Sequence, residues 1–349
     1  MYLRHSRFGA DVQLTFVIQY GNISTMNNAK LYNKSNSLQK RDAQVIVEEF
    51  SHLFDHKPNS SDATLLDIGC GCGDVLVELI LPKLHENYTE VIGVDISQDM
   101  VKYASDKYHS QFLKFFKVDI QSDFLSSKVF KDKRPLRAES VDFITSFYCL
   151  HWIENQRWIF CDLMKKISTF FLSQTRQAIS NIYKLLKPNG TCMLAFLASN
   201  PIFDIYLDLS KMSKYSKYMK DVTKFISPYH FEEKPLEAFS EKLYDVGFKI
   251  FHIEIRDQIF IFDDVELLKC KFDSFFFVNN AFVHILFFSA DSVKAVNPFT
   301  SRMPENLQND FLNDYVKKVD DLNLIQYNES TFKKNVITPY KLMLAIADK

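Results

Sequence analysis

Three glycines and two acids between positions 67 and 74 have the types and spacing of a loop that binds a cofactor. Residues 65–74 read LLDIGCGCGD. Glycine takes backbone conformations that are closed to other residues and lets the backbone approach a ligand closely. An apolar helical pattern begins at Val75, so the first N–H groups of that helix would face whatever is bound. The stretch therefore predicts a nucleotide-like cofactor at a strand-to-helix turn.

Further acids stand at the ends of the next apolar segments. Residues 91–94 read VIGV and are followed by Asp95. A carboxylate one strand after a glycine loop can accept hydrogen bonds from both ribose hydroxyls of a cofactor. A third strand is predicted over 112–118, ending at Asp119 and Ile120, and a fourth over 141–147. The alternative is an ordinary glycine turn with strand-end acids, but the order of the features favours a binding site.

The spacing of the glycines indicates which cofactor is bound. Dinucleotide sites favour G-x-G-x-x-G, whereas residues 69–73 give G-x-G-x-G preceded by an acid. This resembles the first motif of the class I methyltransferases, which use S-adenosylmethionine, and the resemblance extends from about residue 60 to the C-terminus. It implies that the loop packs on the methionine moiety with support from Asp67, that Asp95 holds the ribose, and that residues 119–120 flank the adenine. The cofactor-binding residues so implied are Asp67, Gly69, Cys70, Gly71, Gly73, Asp95, Ile96, Asp119, Ile120 and Ser146.

A tyrosine, a histidine and a tryptophan follow the fourth predicted strand. Residues 146–152 read SFYCLHW, which would place these rings where a substrate meets the cofactor; the alternative is a set of core aromatics. With NPIFD at 200–204, FISPYH at 225–230 and the opening 26–43, the stretch is similar to the insect juvenile hormone acid methyltransferases and their arthropod relatives. In that family a Gln of the N-terminal helix and a Trp after the fourth strand hold the carboxylate to be methylated. Those positions match Gln39 and Trp152.

The implied reaction suits these residue types. Amide and indole N–H groups are neutral donors that orient a carboxylate without neutralising it. A carboxylic acid with a pKa near 4 to 5 is already ionised at neutral pH, so the remaining work is to align one oxygen with the methyl group and to exclude water. Methylation of a hydroxyl would instead need a base, for which His151 is the candidate. A protein that binds these ligands without turnover is a further alternative.

Residues 199–235 are predicted to form a lid over the acceptor site. The segment is rich in aromatic and aliphatic residues, which suits an elongated apolar tail such as that of farnesoic or juvenile hormone-like acid. A helical insert that packs on the sheet is the plainer interpretation, and a pocket wall can be both. The predicted substrate-binding residues are Tyr148, Phe203, Tyr206, Phe225, Ile226 and Tyr229.

The elements that must position these residues alternate between strand and helix from Thr64 to Val118. Such alternation favours a parallel sheet covered on both faces, with ligands at the carboxyl ends of its strands. We therefore predict an α/β, Rossmann-like class I methyltransferase fold with a mostly parallel seven-stranded sheet, an N-terminal helical cap and a lid. The methyltransferase domain is predicted over 26–349, with its cofactor-binding core at about 60–198.

Composition excludes several partners. The formal net charge is -1, which leaves no electrostatic footprint for nucleic acid. The six cysteines are scattered and predict reduced thiols in a cytoplasmic protein. Cys70 and Cys72 lack a second Cys or His pair at ligand spacing, so no metal is expected. We expect a small lipophilic acid as substrate and no membrane partner; the oligomeric state stays open, a homodimer included.

Three segments do not fit this scheme. Residues 1–25 have the character of an extension before the domain, and their apolar patch at 14–18 is too short for a secretory signal. Residues 158–175 and 270–290 interrupt the family pattern and are interpreted as suspected insertions or retained introns. The alternatives are real surface insertions or, for 275–290, a membrane segment. The latter is disfavoured because a span needs about 20 predominantly apolar residues.

Overall fold

The computed structural model describes residues 29–55, 58, 61–108, 110–122, 136–153, 173–262, 297–329 and 333–349. Within them, one mixed sheet forms the centre of the fold. Its strands are β1 (Ala63–Ile68), β2 (Tyr88–Asp95), β3 (Leu113–Lys117), β4 (Val141–Phe147), β5 (Leu186–Ser199), β6 (Lys249–Phe262), β7 (Ile325–Asn328) and β8 (Lys333–Asp348).

The strand order is β3-β2-β1-β4-β5-β8-β6, with β7 paired to β8. Strands β1 to β5 run parallel, and β8 is antiparallel to both β5 and β6. The predicted α/β fold with a mostly parallel sheet is confirmed, and seven strands form its continuous path. The sequence does not predict β7, because four residues carry too little periodicity to be recognised.

Helices cover both faces of this sheet. The α-helices are α1 (Ala29–Ser35), α2 (Ser37–Glu49), α3 (Ser51–Phe54), α4 (Gln98–Lys107), α5 (Ser173–Leu185), α6 (Pro201–Lys211), α7 (Ser213–Ser216), α8 (Pro235–Val246) and α9 (Glu305–Asp321). Ser97 is the N-cap of α4, as predicted, and its side chain accepts a hydrogen bond from the Met100 N–H. Helix α8 ends at Gly247, whose φ of 112° closes the helix in the left-handed region.

The segment after the glycine loop differs from the regular helix that the apolar pattern predicts from Val75. It forms a π-helix, Val75–Ile80, followed by a 3-10 helix, Leu81–Lys83. Pro82 has no N–H to donate, so a regular α-helix could not continue through it with all its hydrogen bonds. Further 3-10 helices cover Leu150–Trp152, Val222–Phe225 and Thr300–Arg302.

Two apolar clusters pack on opposite faces of the sheet. Leu65 and Leu66 are neighbours on β1 and both fully buried, yet each belongs to a different cluster. This follows from the alternation of side chains along a strand. The cluster containing Leu66 includes residues of α5 and α8, whereas the cluster containing Leu65 includes residues of α2 and α4.

A third apolar cluster joins residues 199–235, the segment predicted to be a lid and called the lid below, to the C-terminal part of the chain. Tyr206 of α6 and Phe225 pack in one cluster with Phe311 and Tyr315 of α9. The Tyr215 ring meets Phe311 edge to face, with ring centroids 5.1 Å apart. The lid and α9 therefore pack around one shared hydrophobic core.

Several predicted segments fall outside the described residues. Residues 1–25 and 270–290 lie outside them entirely, as do 158–172 of the first suspected insertion, and α5 begins at Ser173. Of the helices in the described ranges, none is both long and apolar enough to cross a membrane.

Candidate active site

A cavity of about 280 Å³ lies at the carboxyl ends of β1, β2, β4 and β5. Its walls come from the cap helices α1 and α2, the turns after the strands, the lid, and the C-terminal segment from α9 to β8. This is the edge at which parallel sheets bind ligands. Residues of both predicted sets, among them Asp95 and Trp152, therefore line one cavity.

The glycine loop takes the backbone conformation that its sequence predicts. Gly69, Gly71 and Gly73 have φ values of 74°, 54° and 80°, in the left-handed region that favours glycine. At Gly69, a Cβ would lie 2.4 Å from the Cβ of Cys149, so the loop packs against the turn after β4 with no room for a side chain. Gly69 and Gly71 both line the cavity, so the loop backbone stands at its edge.

Asp95 is fixed by backbone N–H groups at the end of β2. Its Oδ2 accepts a hydrogen bond from the Gly71 N–H at 3.0 Å, and its Oδ1 accepts one from the Ser97 N–H at 2.8 Å. Burial raises the pKa of this carboxyl, while the backbone donors at Ser97, Gly71 and Ile96 act in the opposite direction. Asp95 lines the cavity, and these two hydrogen bonds fix the orientation of its carboxylate.

Asp67 and Ser146 lie behind the loop rather than on the cavity wall. Thr145 donates from Oγ1 to Oδ1 of Asp67 at 2.8 Å, and the Ser146 hydroxyl donates to the Ile68 carbonyl at 2.9 Å. Burial raises the pKa of Asp67 to about 7, with smaller contributions from Thr145, which lowers it, and from Asp95, which raises it. The Asp67 side chain is buried and paired with Thr145 of β4, and its support of the loop stays a prediction.

The turn after β3 forms the next part of the wall. Gln121 donates its N–H to Oδ1 of Asp119 at 2.9 Å. Asn181 of α5 is fully buried and donates from Nδ2 to the carbonyls of Ile120 and Ser122, each at 2.8 Å. The sequence gives no signal for Asn181, because its role depends on a contact between distant parts of the chain.

The predicted cofactor residues thus divide into two groups. Those that line the cavity are Gly69, Gly71, Asp95, Ile96, Asp119 and Ile120, and those that do not are Asp67, Cys70, Gly73 and Ser146. Tyr32 of α1 also lines it and is missing from the sequence-based set; its ring comes within 3.6 Å of where a Gly71 Cβ would stand. A cap residue therefore contributes to the cofactor half.

Gln39, His151 and Trp152 all line the cavity, as their proposed roles require. Gln39 lies on α2, and its Oε1 is buried without a hydrogen-bond partner among the described residues. Rotation of the amide by 180° exchanges the positions of Oε1 and Nε2. Gln39 can then place an N–H donor where its Oε1 now stands without a hydrogen-bond partner among the described residues. Trp152 packs against His151 and Phe225, with ring centroids 4.6 Å and 6.3 Å apart.

His151 is a poor base in this environment. Its side chain is 2% exposed, and its Nδ1 lacks a hydrogen-bond partner within the described part of the chain. Burial lowers the pKa of the imidazole to about 3. The ring is therefore neutral throughout the physiological range and attracts a proton only weakly.

The lid contributes some of its predicted residues to the cavity. Phe203, Tyr206 and Phe225 line it, together with Tyr148. Ile226 is not among the lining residues, and neither is Tyr229, whose ring packs on Phe196 and Phe239 with centroids 5.5 Å and 5.6 Å away. For these two positions, substrate contact stays a prediction.

Sequence reasoning missed the wall formed by the C-terminal segment. It includes four apolar or aromatic residues near α9 and the first half of β8: Tyr315, Val319, Leu324 and Val336. No local motif distinguishes these from core positions, because their exposure to the cavity arises only when α9 packs on the lid.

Charged side chains on the wall are few. Asp95 and Asp119 stand on the cofactor half, and Lys224 stands in the short helix of the lid. Across the described ranges, no cluster of three or more His, Cys, Asp or Glu side chains could hold a metal ion. Cys70, Cys72, Cys149 and Cys192 are free thiols.

Comparisons with known proteins agree with this geometry. A family described as a methyltransferase domain matches residues 59–311. The chain is a class I methyltransferase that uses S-adenosylmethionine. It is 37% identical to the juvenile hormone acid O-methyltransferase of Drosophila melanogaster over 326 residues, which cover 93% of each chain. Identity to the Bombyx mori protein of the same name is 33%, over 86% of this chain and 88% of that one. The chain therefore belongs to the juvenile hormone acid O-methyltransferase family.

Among solved structures, the YcgJ protein of Bacillus subtilis is 15% identical and superposes with a TM-score of 0.47, over 88% of this chain and 98% of that one.

Proposed function

We propose that this enzyme methylates the carboxylate of a lipophilic acid of the farnesoic or juvenile hormone type and releases the methyl ester. The observation that carries the proposal is the position of Gln39 and Trp152, which line one cavity with both the cofactor loop and the apolar lid. The names of the Drosophila and Bombyx relatives support the same substrate class.

The residues present fit the cofactor. The left-handed glycines and the backbone-held Asp95 provide a close backbone surface and a carboxylate for hydroxyl groups. S-adenosylmethionine, when bound, supplies an electrophilic methyl group. Asp95 would hold the ribose, Asp119 and Ile120 would flank the adenine, and the loop 69–73 would face the methionine moiety.

The acceptor residues then need only to orient and enclose the acid. Gln39 and Trp152 would each donate an N–H to the carboxylate and leave an oxygen lone pair free for attack. Neither donor carries a charge, so the carboxylate keeps its nucleophilicity. Phe203, Phe225 and Tyr206 would pack on the tail and keep water from the reacting atoms.

Methylation of a hydroxyl is not favoured. That reaction needs a base near the acceptor, and burial lowers the pKa of His151 to about 3. A carboxylate is ionised without help from the protein.

Transfer of a labelled methyl group from S-adenosylmethionine to farnesoic acid by the full chain tests the proposal. Farnesol is the matched control, because it has the same tail with a hydroxyl in place of the carboxyl. We expect a labelled ester from the acid and no labelled product from the alcohol. Labelling of farnesol instead would contradict the carboxylate assignment. Tight cofactor binding without transfer to either compound would favour a ligand-binding protein without turnover.

We also propose a cytoplasmic location. Four free cysteines occur in the described residues, three of them buried. Unpaired thiols are typical of proteins in a reducing compartment. Fractionation of the tissue that expresses the protein, followed by immunodetection, tests this location.

A further inference from the structure

Asp42 is the centre of a buried hydrogen-bond network that joins the cap to the sheet. Its side chain is 4% exposed. Its Oδ2 accepts hydrogen bonds from the hydroxyls of Tyr148, at 2.6 Å, and of Tyr340 on β8, at 2.5 Å. Its Oδ1 accepts two from Arg41, from Nε at 3.1 Å and from Nη2 at 2.9 Å. The carboxylate is thus fully paired, as a buried charge requires.

Tyr148, at the other end of this network, has an unusual backbone conformation. Its φ is 56°, in the left-handed region that a bulky residue rarely adopts. Its N–H donates to the Ala195 carbonyl on β5 at 2.8 Å, and its hydroxyl donates to Asp42. Such a conformation persists only where the surrounding structure determines it, and here both ends of the residue are fixed.

The two partners stand next to the two predicted carboxylate donors. Asp42 follows Gln39 by about one turn of α2, and Tyr148 leads directly into the 3-10 turn Leu150–Trp152. The Tyr148 ring meets His151 edge to face, with centroids 5.9 Å apart. The hydrogen bond between Asp42 and Tyr148 therefore links the element that carries Gln39 to the turn that carries Trp152.

We propose that the hydrogen bond between Asp42 and Tyr148 sets the separation of Gln39 and Trp152, so that both donors reach one carboxylate. Tyr148 is then a positioning residue whose hydroxyl is not offered to the substrate, although its ring lines the tail pocket. This inference rests on the proposed function, in which Gln39 and Trp152 hold the acid.

A double-mutant cycle in the full chain tests the proposal, because it separates a positioning role from a direct one. Tyr148→Phe removes one oxygen and keeps the ring. We expect kcat for farnesoic acid to fall at least tenfold, while affinity for S-adenosylhomocysteine, measured by calorimetry, stays within twofold. In a Gln39→Ala background the same change should cost less than threefold, since the hydroxyl acts through Gln39.

Tyr215→Phe is the matched control. The Tyr215 hydroxyl also donates to a carboxylate, that of Asp314, at 2.5 Å, and Tyr215 does not line the cavity. Its loss should leave kcat within twofold of the unmodified enzyme. Asp42→Asn provides the second entry to the cycle if Tyr148→Phe does not fold, and should show the same non-additivity with Gln39→Ala.

Two results would overturn the inference: an unchanged kcat in Tyr148→Phe, or an equal loss in the presence and absence of Gln39. The second result would mean that the hydroxyl acts independently of Gln39. Failure of the proposed function gives a different result, because the unmodified chain would then methylate no lipophilic acid at all.

Discussion

Asn36 donates a hydrogen bond from Nδ2 to Oδ2 of Asp74 at 2.8 Å, and both side chains are buried. The bond joins the start of α2 to the end of the glycine loop. The other carboxylate oxygen of Asp74, Oδ1, accepts a hydrogen bond from the Cys72 thiol at 3.1 Å. The cap and the cofactor loop are therefore one hydrogen-bonded unit.

Asn36→Ala should destabilise this unit. The change leaves Oδ2 of a buried carboxylate with Lys40 at 3.9 Å as its remaining ion-pair partner among the described residues. A lost hydrogen bond to a charged group costs about 1.5 to 3 kcal/mol, so we expect a loss of that size in the free energy of unfolding. Chemical denaturation with and without S-adenosylhomocysteine measures it.

Lys40→Met is the control for that prediction. Lys40 pairs mainly with the exposed Glu78, and surface pairs contribute about 0 to 1 kcal/mol. A loss in Lys40→Met as large as in Asn36→Ala would show that the ion pair, not the buried amide, joins the cap to the loop.

Gln39→Ala and Trp152→Ala should lose activity and retain the cofactor. Each change removes one neutral donor to the acid, so kcat/KM for farnesoic acid should fall about tenfold or more, as about 1.4 kcal/mol corresponds to a factor of ten. Affinity for S-adenosylhomocysteine should stay near that of the unmodified chain.

Asp95→Ala should show the reverse order of effects. It removes the carboxylate that Gly71 and Ser97 orient, so cofactor affinity should fall first, by at least tenfold in calorimetry. Normal turnover by Gln39→Ala would refute the carboxylate-holding role, and normal cofactor affinity in Asp95→Ala would refute the ribose-holding role.

Gly69→Ala should be much more damaging to folding than Gly71→Ala. Both positions have positive φ, so both substitutions carry the left-handed strain of about 1 to 2 kcal/mol. At Gly69 the added Cβ would also lie 2.4 Å from the Cβ of Cys149, whereas at Gly71 it would meet the Tyr32 ring at an ordinary 3.6 Å. Thermal melting of the two variants compares them, and equal melting temperatures would contradict the predicted clash.

The buried His151 should make the protein less stable in acid. Its folded pKa, about 3, lies below its ordinary value of 6.5. Between those values the unfolded chain binds a proton that the folded chain does not, so this residue's contribution to stability falls as pH falls from about 6.5 toward 3, at up to about 1.4 kcal/mol per pH unit.

His151→Gln removes this effect and tests it. As the pH is lowered from 7 to 5, the melting temperature of the variant minus that of the unmodified chain should increase. Asp67 has the opposite pH dependence in both proteins. Its folded pKa is raised to about 7, so its contribution to the free energy of unfolding falls as the pH rises from about 4 to 7. A pH-independent difference in melting temperature would show that burial does not lower the pKa of His151 in the folded protein.

The parts of this molecule that could be predicted from the sequence are those whose signals are local. The glycine loop, the acid after β2 and the Ser97 cap each depend on a few neighbouring residues, and each stands where its pattern predicts. Gln39 and Trp152 needed the family resemblance, since a lone Gln or Trp has no diagnostic spacing.

Other features depend on contacts between distant segments and have no such signal. Asn181 supports the turn after β3 from 61 positions away, and Tyr340 reaches Asp42 from 298 positions away. The wall formed by α9 arises from the same kind of contact. Tyr229 has the aromatic character of a pocket residue but packs on Phe196 and Phe239 in one of the two clusters on the sheet, because hydrophobicity alone does not distinguish a pocket wall from a core.

The cap serves both halves of the cavity at once. Tyr32 on α1 reaches the glycine loop, and Gln39 on the next helix reaches the acceptor side. If one ligand holds these helices in place, the second ligand binds helices that are already ordered and loses less conformational entropy. Linkage then makes the effect reciprocal: S-adenosylhomocysteine should raise the affinity for the acid by the same factor by which the acid raises the affinity for S-adenosylhomocysteine. In this enzyme, cofactor binding and acid recognition share one thermodynamic cycle.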